Sequence, residues 1–216
     1  MDFDFDLGYK NESVKIICGL DEAGRGPLAG PVVAGACILP DGIVIESLND
    51  SKKLSEKKRE ALYDVIIEKA VAWGIGIATP EEIDEFNILN ASLLAMRRAL
   101  EATGVDPDLL LVDGNQTRGF VHPAIAVVGG DAKSPSIAAA SILAKVTRDR
   151  MMTELDKDYP EYGLAGHKGY PTKSHKLAVY MHGASPCHRR SFLGFLERDA
   201  EKLAAEAEKL SRSEEK

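Results

Sequence analysis

Apolar residues fall along the chain in short, separated runs, alternating with stretches where they recur every third or fourth position. The run over 14–20 is continuous and rich in β-branched residues, short enough for a buried strand, and 31–39 reads as a second strand after a glycine-rich turn. Ser55 can cap a helix with Glu56 in its first turn, and Leu62, Val65, Ile66, Ala70 and Trp73 follow at helical spacing. Residues 73–78 predict a third strand, 80–86 a short helix, and 88–102 a longer helix closed by Gly104. The apolar runs 109–112 and 124–128 read as buried strands, the first ending in Asp113, the second reaching Asp131 after two glycines. An Ala-rich helix is expected over 136–157, stopped by Tyr159-Pro160, and another over 172–182. A polar helix follows over 195–210, with 211–216 fraying. Strands and helices mixed throughout 216 residues, without an internal repeat, predict a single α/β domain.

Composition narrows the setting. A chain of this length buries roughly 70% of its unfolded surface, so it folds without disulfides or a structural metal. Cys18, Cys37 and Cys187 have no zinc-site or disulfide-framework spacing, and the first two sit in apolar runs as small core residues. The acidic N-terminus lacks the apolar stretch of a signal peptide, and no segment is long enough to span a bilayer. A cytoplasmic setting without a membrane partner is expected. The net charge of −7 argues weakly against a nucleic-acid binder, yet most of the excess negative charge lies at the ends, with Asp2, Asp4, Asp6 and Glu12 at one and the stretch from 197 at the other. Residues 162–196 contain no acid but carry Lys168, Lys173, Lys176, Arg189, Arg190 and four of the five histidines. Lys52, Lys53, Lys57, Lys58 and Arg59 form a second basic cluster. Such segments fit either a polyanion footprint or ordinary solvated surface, and composition does not choose between them.

The acids at strand ends carry the candidate chemistry. Asp21-Glu22, Asp113 and Asp131 each follow an apolar run, and ligand sites in layered α/β proteins form at the carboxyl ends of strands. One acid there suits a turn or a cap; three that converge repel one another unless a cation lies between them. Both readings stand at this point. Oxygen donors with no cysteine partner favour Mg²⁺ or Mn²⁺ over zinc, and magnesium takes phosphate oxygens among its ligands, which is phosphoryl-transfer chemistry. Beyond the first pair, Gly24, Gly26 and Gly30 permit close backbone approach to a ligand, and Arg25 offers a fork for phosphate. No Gly-Lys-Ser/Thr follows, so this is not a Walker A loop. Adjacent side chains on a strand face opposite ways, so Asp21 and Glu22 share a site only if the strand ends there, and Gly24 gives it the means to turn.

Longer blocks carry a resemblance to a family. CGLDEAGRGPLAGP over 18–31 resembles the opening motif of bacterial ribonuclease HII. The likeness continues in LNDSKKLS over 48–55, LVDGN over 111–115, DAKS over 131–134 and IAAASILAKVTRD over 137–149, then HKGYPT over 167–172 and HRRSF over 188–192. The blocks stand in family order across about 14–194.

The resemblance implies a ribonuclease-H-like α/β fold, a central mixed sheet flanked by helices with a helical C-terminal region. It places the catalytic domain at 13–195 and leaves a polar helical tail over 196–216. It implies that Asp21, Glu22, Asp113 and Asp131 are the catalytic and metal-binding carboxylates, holding two Mg²⁺ or Mn²⁺ ions. Gly24-Arg25-Gly26 is then the loop that reads a ribose 2′-hydroxyl, largely through backbone, and Tyr170 a platform for the deoxyribose on its 3′ side. Lys52 and Lys53 are either phosphate contacts or a solvated pair at a helix start. The implied activity is endonucleolytic hydrolysis of the RNA strand of RNA–DNA hybrids and of single ribonucleotides in duplex DNA. Cleavage falls on the 5′ side of the ribonucleotide and leaves 3′-hydroxyl and 5′-phosphate ends. A monomer is expected, and no protein partner is assigned to the tail. One departure stands out: Gly129-Gly130-Asp131 replaces the usual Lys-Gly-Asp, removing a positive charge but no metal ligand. The related type-three ribonuclease H carries an extra N-terminal domain, for which the short stretch before Val14 leaves no room. A non-catalytic hybrid-binding module would have no need of all four acids.

Overall fold

Strand β1 (Ile17–Ala23) turns back into β2 (Val32–Ile38), and helix α1 (Glu56–Lys69) leads from there to β3 (Ala72–Ala78). Helix α2 (Pro80–Ala102) crosses to β4 (Leu109–Asp113) and β5 (Ala124–Val127). The sheet has five strands in the order β3-β2-β1-β4-β5. β1, β2 and β3 are antiparallel neighbours, whereas β4 and β5 run parallel to β1. The long helix α3 (Pro135–Asp158) follows, then α4 (Leu164–His167), α5 (Lys173–His182), α6 (Phe195–Arg198) and α7 (Ala200–Glu214). This computed structural model describes residues 1–49 and 51–214. Asp50, within the LNDSKKLS block, lies outside the described residues, as do the last two of the segment expected to fray.

Helices cover both faces, so the expected mixed sheet flanked by helices, with a helical C-terminal region, is what the chain forms. On one face Cys18, Leu20, Val32, Ala34 and Ala36 meet Ala91, Ala95, Met96 and Ala99 of α2. On the other, Cys37 meets Leu62 and Ile66 of α1 and the run Ala138, Ala139, Ala140, Ile142 and Leu143 of α3. The approach of α3 is close: a Cβ on Gly19 would lie 2.2 Å from the Ser136 carbonyl carbon, and one on Gly35 2.3 Å from the Ala140 oxygen. Only glycine at these two strand positions lets this helix lie directly on the strands. A third cluster joins Leu28 and Ala29 to Met152, Tyr162, Leu164, Val179, Phe195 and Leu203, fastening the C-terminal helices to the β1–β2 connection. Among the described residues no helix is long and apolar enough to cross a membrane.

The two helices expected over 80–102 are one element broken at Asn87, whose φ of 66° and ψ of 163° leave the helical region. Its Oδ1 accepts from the N–H of Leu89 and of Asn90, capping the second half where the first stops. Three expectations need correction. β1 runs on through Ala23 because Asp21 and Glu22 pair with Gly35 and Ala34 of β2. β5 is not a buried strand: it lies at the sheet edge, where only Val127 is buried and Ile125 is 37% exposed. The polar helix beginning at Phe195 is interrupted at Asp199, separating α6 from α7.

Candidate active site

Parallel pairing of β1 with β4 sets Leu20 beside Val112, which carries Asp21 to the side of Asp113. Asp113 is the last residue of β4, and its Oδ1 accepts from the Gly130 N–H at 2.7 Å. Gly130 opens a 3-10 turn, Gly130–Ala132, that carries the buried Asp131 into the start of α3. Gly129 precedes it with a φ of 64°, a left-handed conformation that disfavours the lysine of the family pattern. A lysine from elsewhere faces Asp131 instead: Lys52 Nζ lies 3.7 Å from Asp131 Oδ2.

Electrostatics tie the acids together. Burial pushes the Asp21 carboxyl well above the usual range, and the charges of Glu22 and Asp113 push it further. Hydrogen bonds from the Ser141 hydroxyl and the Glu22 N–H oppose them, the latter at 2.7 Å. Glu22 is raised by burial, opposed by Arg25 and raised again by Asp113. Although β1 does not end at the pair, the Glu22 carboxylate still acts in the same field as Asp21 and Asp113. Each acid is turned to a protein partner: Glu22 to Arg25 at 3.3 Å, Asp113 to Gly130, and Asp131 to Lys52. Among the described residues no three His, Cys, Asp or Glu side chains are drawn into a ready metal-holding group. The donor set is nevertheless all oxygen, with Asp21 and Asp131 buried and Asp21, Glu22 and Asp113 repelling one another, which fits a hard divalent cation that would relieve the repulsion.

The loop after β1 is shaped from beneath by two arginines that sequence reading missed. Arg189 is fully buried and donates to the carbonyls of Gly24 at 2.6 Å, Arg25 at 3.1 Å and Gly30 at 2.9 Å. Arg148, on α3, donates to those of Pro31 at 3.0 Å, Ala29 at 3.2 Å and Lys168 at 3.0 Å. Arg189 counted in the sequence as part of a basic surface segment; here it is interior, and burial, then the charge of Arg148, lower its pKa to about 9. Nothing in the one-dimensional pattern separates it from the exposed Arg190 beside it. With the Gly24 and Arg25 carbonyls drawn inward, Arg25 and Gly26 form the exposed part of the turn, whereas Gly24 is buried. Gly24 has a φ of 98°, and a Cβ there would strike the Arg148 side chain at 2.1 Å.

Tyr170 stands across this turn. It is 42% exposed, and a Cβ on Gly26 would lie 3.8 Å from its ring. Its carbonyl accepts from His175 Nδ1 at 3.0 Å, and His175 Nε2 meets His188 Nε2 at 3.1 Å inside the protein. The structure thus brings Asp21, Glu22, Asp113, Asp131 and Lys52 together on one side of the Gly24–Gly26 turn and Tyr170 onto another.

Comparison with known proteins shows the family of the chain. The family model described as ribonuclease HII matches residues 18–194. A ribonuclease HII of Shewanella amazonensis is 57% identical over 176 residues, 82% of this chain and 85% of its own. One from Dechloromonas aromatica is 58% identical over 179 residues, 83% of this chain and 91% of its own. The crystal structure of ribonuclease H2 from Pyrococcus horikoshii OT3 superposes with a TM-score of 0.70 at 29% identity, covering 88% of this chain and 99% of that one. A matched span that begins in β1 and ends beyond Arg189 takes in every side chain named for this site, and the chain belongs to the ribonuclease HII family of endoribonucleases.

Proposed function

We propose that this protein hydrolyses the RNA strand of RNA–DNA hybrids and cuts on the 5′ side of single ribonucleotides in duplex DNA. The observation that carries the reading is the meeting of Asp21, which is buried, and Asp113 on adjacent parallel strands, with the Glu22 carboxylate in the field of both. Asp21, Glu22, Asp113 and Asp131 would hold two Mg²⁺ or Mn²⁺ ions. Bound there, the ions supply an activated water and stabilise the leaving 3′-oxygen, so that 3′-hydroxyl and 5′-phosphate ends result.

The chain itself selects the scissile position. The Gly24–Gly26 turn, its Gly24 and Arg25 carbonyls held inward by Arg189, would offer backbone to a ribose 2′-hydroxyl, the group that separates RNA from DNA. Arg25, half-exposed beside Glu22, is placed for a phosphate, and Lys52 for another near Asp131. The Tyr170 ring, exposed next to Gly26, receives the following deoxyribose. Together these groups recognise an RNA–DNA junction.

The test sets two substrates side by side, a DNA duplex with one ribonucleotide and an all-RNA strand hybridised to DNA, each with Mg²⁺ and with Mn²⁺. Nicking 5′ to the ribonucleotide with a 3′-hydroxyl end is the expected result. Absence of cleavage of both substrates with either ion, across a range of salt, would sink the proposal.

A further inference from the structure

The first nine residues lie ahead of the span that matches the family model, yet they reach the carboxylate site. Phe5 and Tyr9, edge to face at 5.6 Å, pack against Ile17, Leu109, Leu111, Val127 and Ile137, the apolar support of β4, β5 and the start of α3. Met1 and Phe3 pack against the neighbouring cluster under α3. Between these anchors the Asp6 carboxylate meets the N-terminus of α3. Its Oδ1 accepts from the Ser134 hydroxyl at 2.6 Å, and its Oδ2 from the Ser136 N–H at 3.0 Å. A negative charge there is favoured by the helix dipole, and it satisfies donors on residues that are themselves buried.

The contact continues inward. Ser134 caps α3 by accepting from the Ile137 N–H at 3.2 Å, and its own N–H donates to the Gly130 carbonyl at 2.8 Å. The other side of Gly130 donates its N–H to Asp113 at 2.7 Å, and the next residue in the turn is Asp131. A continuous hydrogen-bonded path therefore runs Asp6, Ser134, Gly130, Asp113.

We propose that Asp6 is a positioning residue for the carboxylate site, fixing through Ser134 and Gly130 both the orientation of Asp113 and the turn that presents Asp131. This rests on the reading of Asp113 and Asp131 as metal ligands. The domain boundary drawn at residue 13 from the sequence leaves out a segment that the site uses. Partners that orient metal-binding carboxylates contribute to affinity even when they touch no metal.

The experiment measures binding of Mn²⁺ alone to the full chain, by calorimetry or water-proton relaxation, together with the thermal midpoint. The variants are Asp6→Ala, Asp6→Asn, Phe3→Ala and Asp113→Asn. Asp6→Ala is expected to weaken Mn²⁺ binding about tenfold, with Asp6→Asn between it and the wild type because its amide oxygen keeps one acceptor. Phe3→Ala loosens the same segment without cutting the path, so it lowers the midpoint but leaves Mn²⁺ affinity unchanged. Equal weakening by Phe3→Ala, or unchanged affinity in both Asp6 variants, would overturn the proposal; Asp6→Asn decides it should the alanine variant fail to fold. If Asp113→Asn itself binds Mn²⁺ as the wild type does, the ligand assignment falls first and this proposal falls with it.

Discussion

The guanidinium of Arg189 and the carbonyl of Gly24 are joined by a hydrogen bond of 2.6 Å across 165 residues of sequence. Two more carbonyls, of Arg25 and Gly30, accept from the same side chain. A lysine would keep the charge but cannot span three carbonyls in a plane. Arg189→Lys is expected to cost about 2–4 kcal/mol, read by urea denaturation, because carbonyls are left buried without donors. It should also reduce cleavage at a single ribonucleotide more than cleavage of a long hybrid. Unchanged stability and unchanged preference would mean that the turn keeps its shape unaided.

Removing a carboxylate from the site separates chemistry from stability. Asp21→Asn and Asp113→Asn should each bring turnover below detection with Mg²⁺. Neither should lower the thermal midpoint by way of charge, since Asp21 is destabilised by burial and by its neighbours Glu22 and Asp113. Near-wild-type turnover in either variant would refute the assignment of these acids as metal ligands.

Tyr170 offers a test of junction recognition. Loss of an aromatic platform from a nucleic-acid site typically costs about tenfold or more. Tyr170→Ala should show that loss for a single ribonucleotide in DNA and a smaller one for a continuous hybrid. Equal losses on the two substrates would assign the ring a structural part only.

The paired histidines beneath Tyr170 set a pH dependence. Ser185 donates its N–H to His188 Nδ1, so His188 donates from Nε2 to His175 Nε2, and His175 donates from Nδ1 to Tyr170. A proton added to His175 Nε2 would face the N–H of His188, and one added to His188 Nδ1 would face the N–H of Ser185. Burial first, then neighbouring charge, lowers both pKa values from 6.5 to about 4. The unfolded chain therefore binds more protons than the folded one between those values. Their contribution to stability is complete above about pH 6.5 and is lost as pH falls toward 4. Urea unfolding of His175→Gln should show a shallower loss across that window than the wild type; an identical slope would remove the pair from the account.

Much of this architecture was legible because apolar runs that stop at acids mark both a buried strand and its functional end, as at Val112-Asp113. The Gly19 and Gly35 contacts were not, since a glycine within an apolar run gives no sign of the helix above it. Nor was the true end of β1: polarity made Asp21 and Glu22 look like the start of a turn, whereas their backbones pair with Gly35 and Ala34 regardless of side chain. The four acids could be proposed together only because the blocks stood in family order. Arg148, Arg189 and Asp6 remained hidden for a common reason. Each is a charged residue with partners more than 100 positions away, and local pattern reads such residues as surface.

The distance between Arg189 and Gly24 also has a consequence in time. Chains emerge during synthesis at roughly 5–20 residues per second, so β1 and its turn precede their organising arginine by about ten to thirty seconds. The sheet can pair and α3 can dock in that interval, bringing Arg148 to Ala29 and Pro31, but the Gly24 and Arg25 carbonyls wait for Arg189. If the turn reads the 2′-hydroxyl as proposed, selectivity is the last property the nascent molecule acquires, and truncation just short of residue 189 should yield a folded sheet with an unshaped turn.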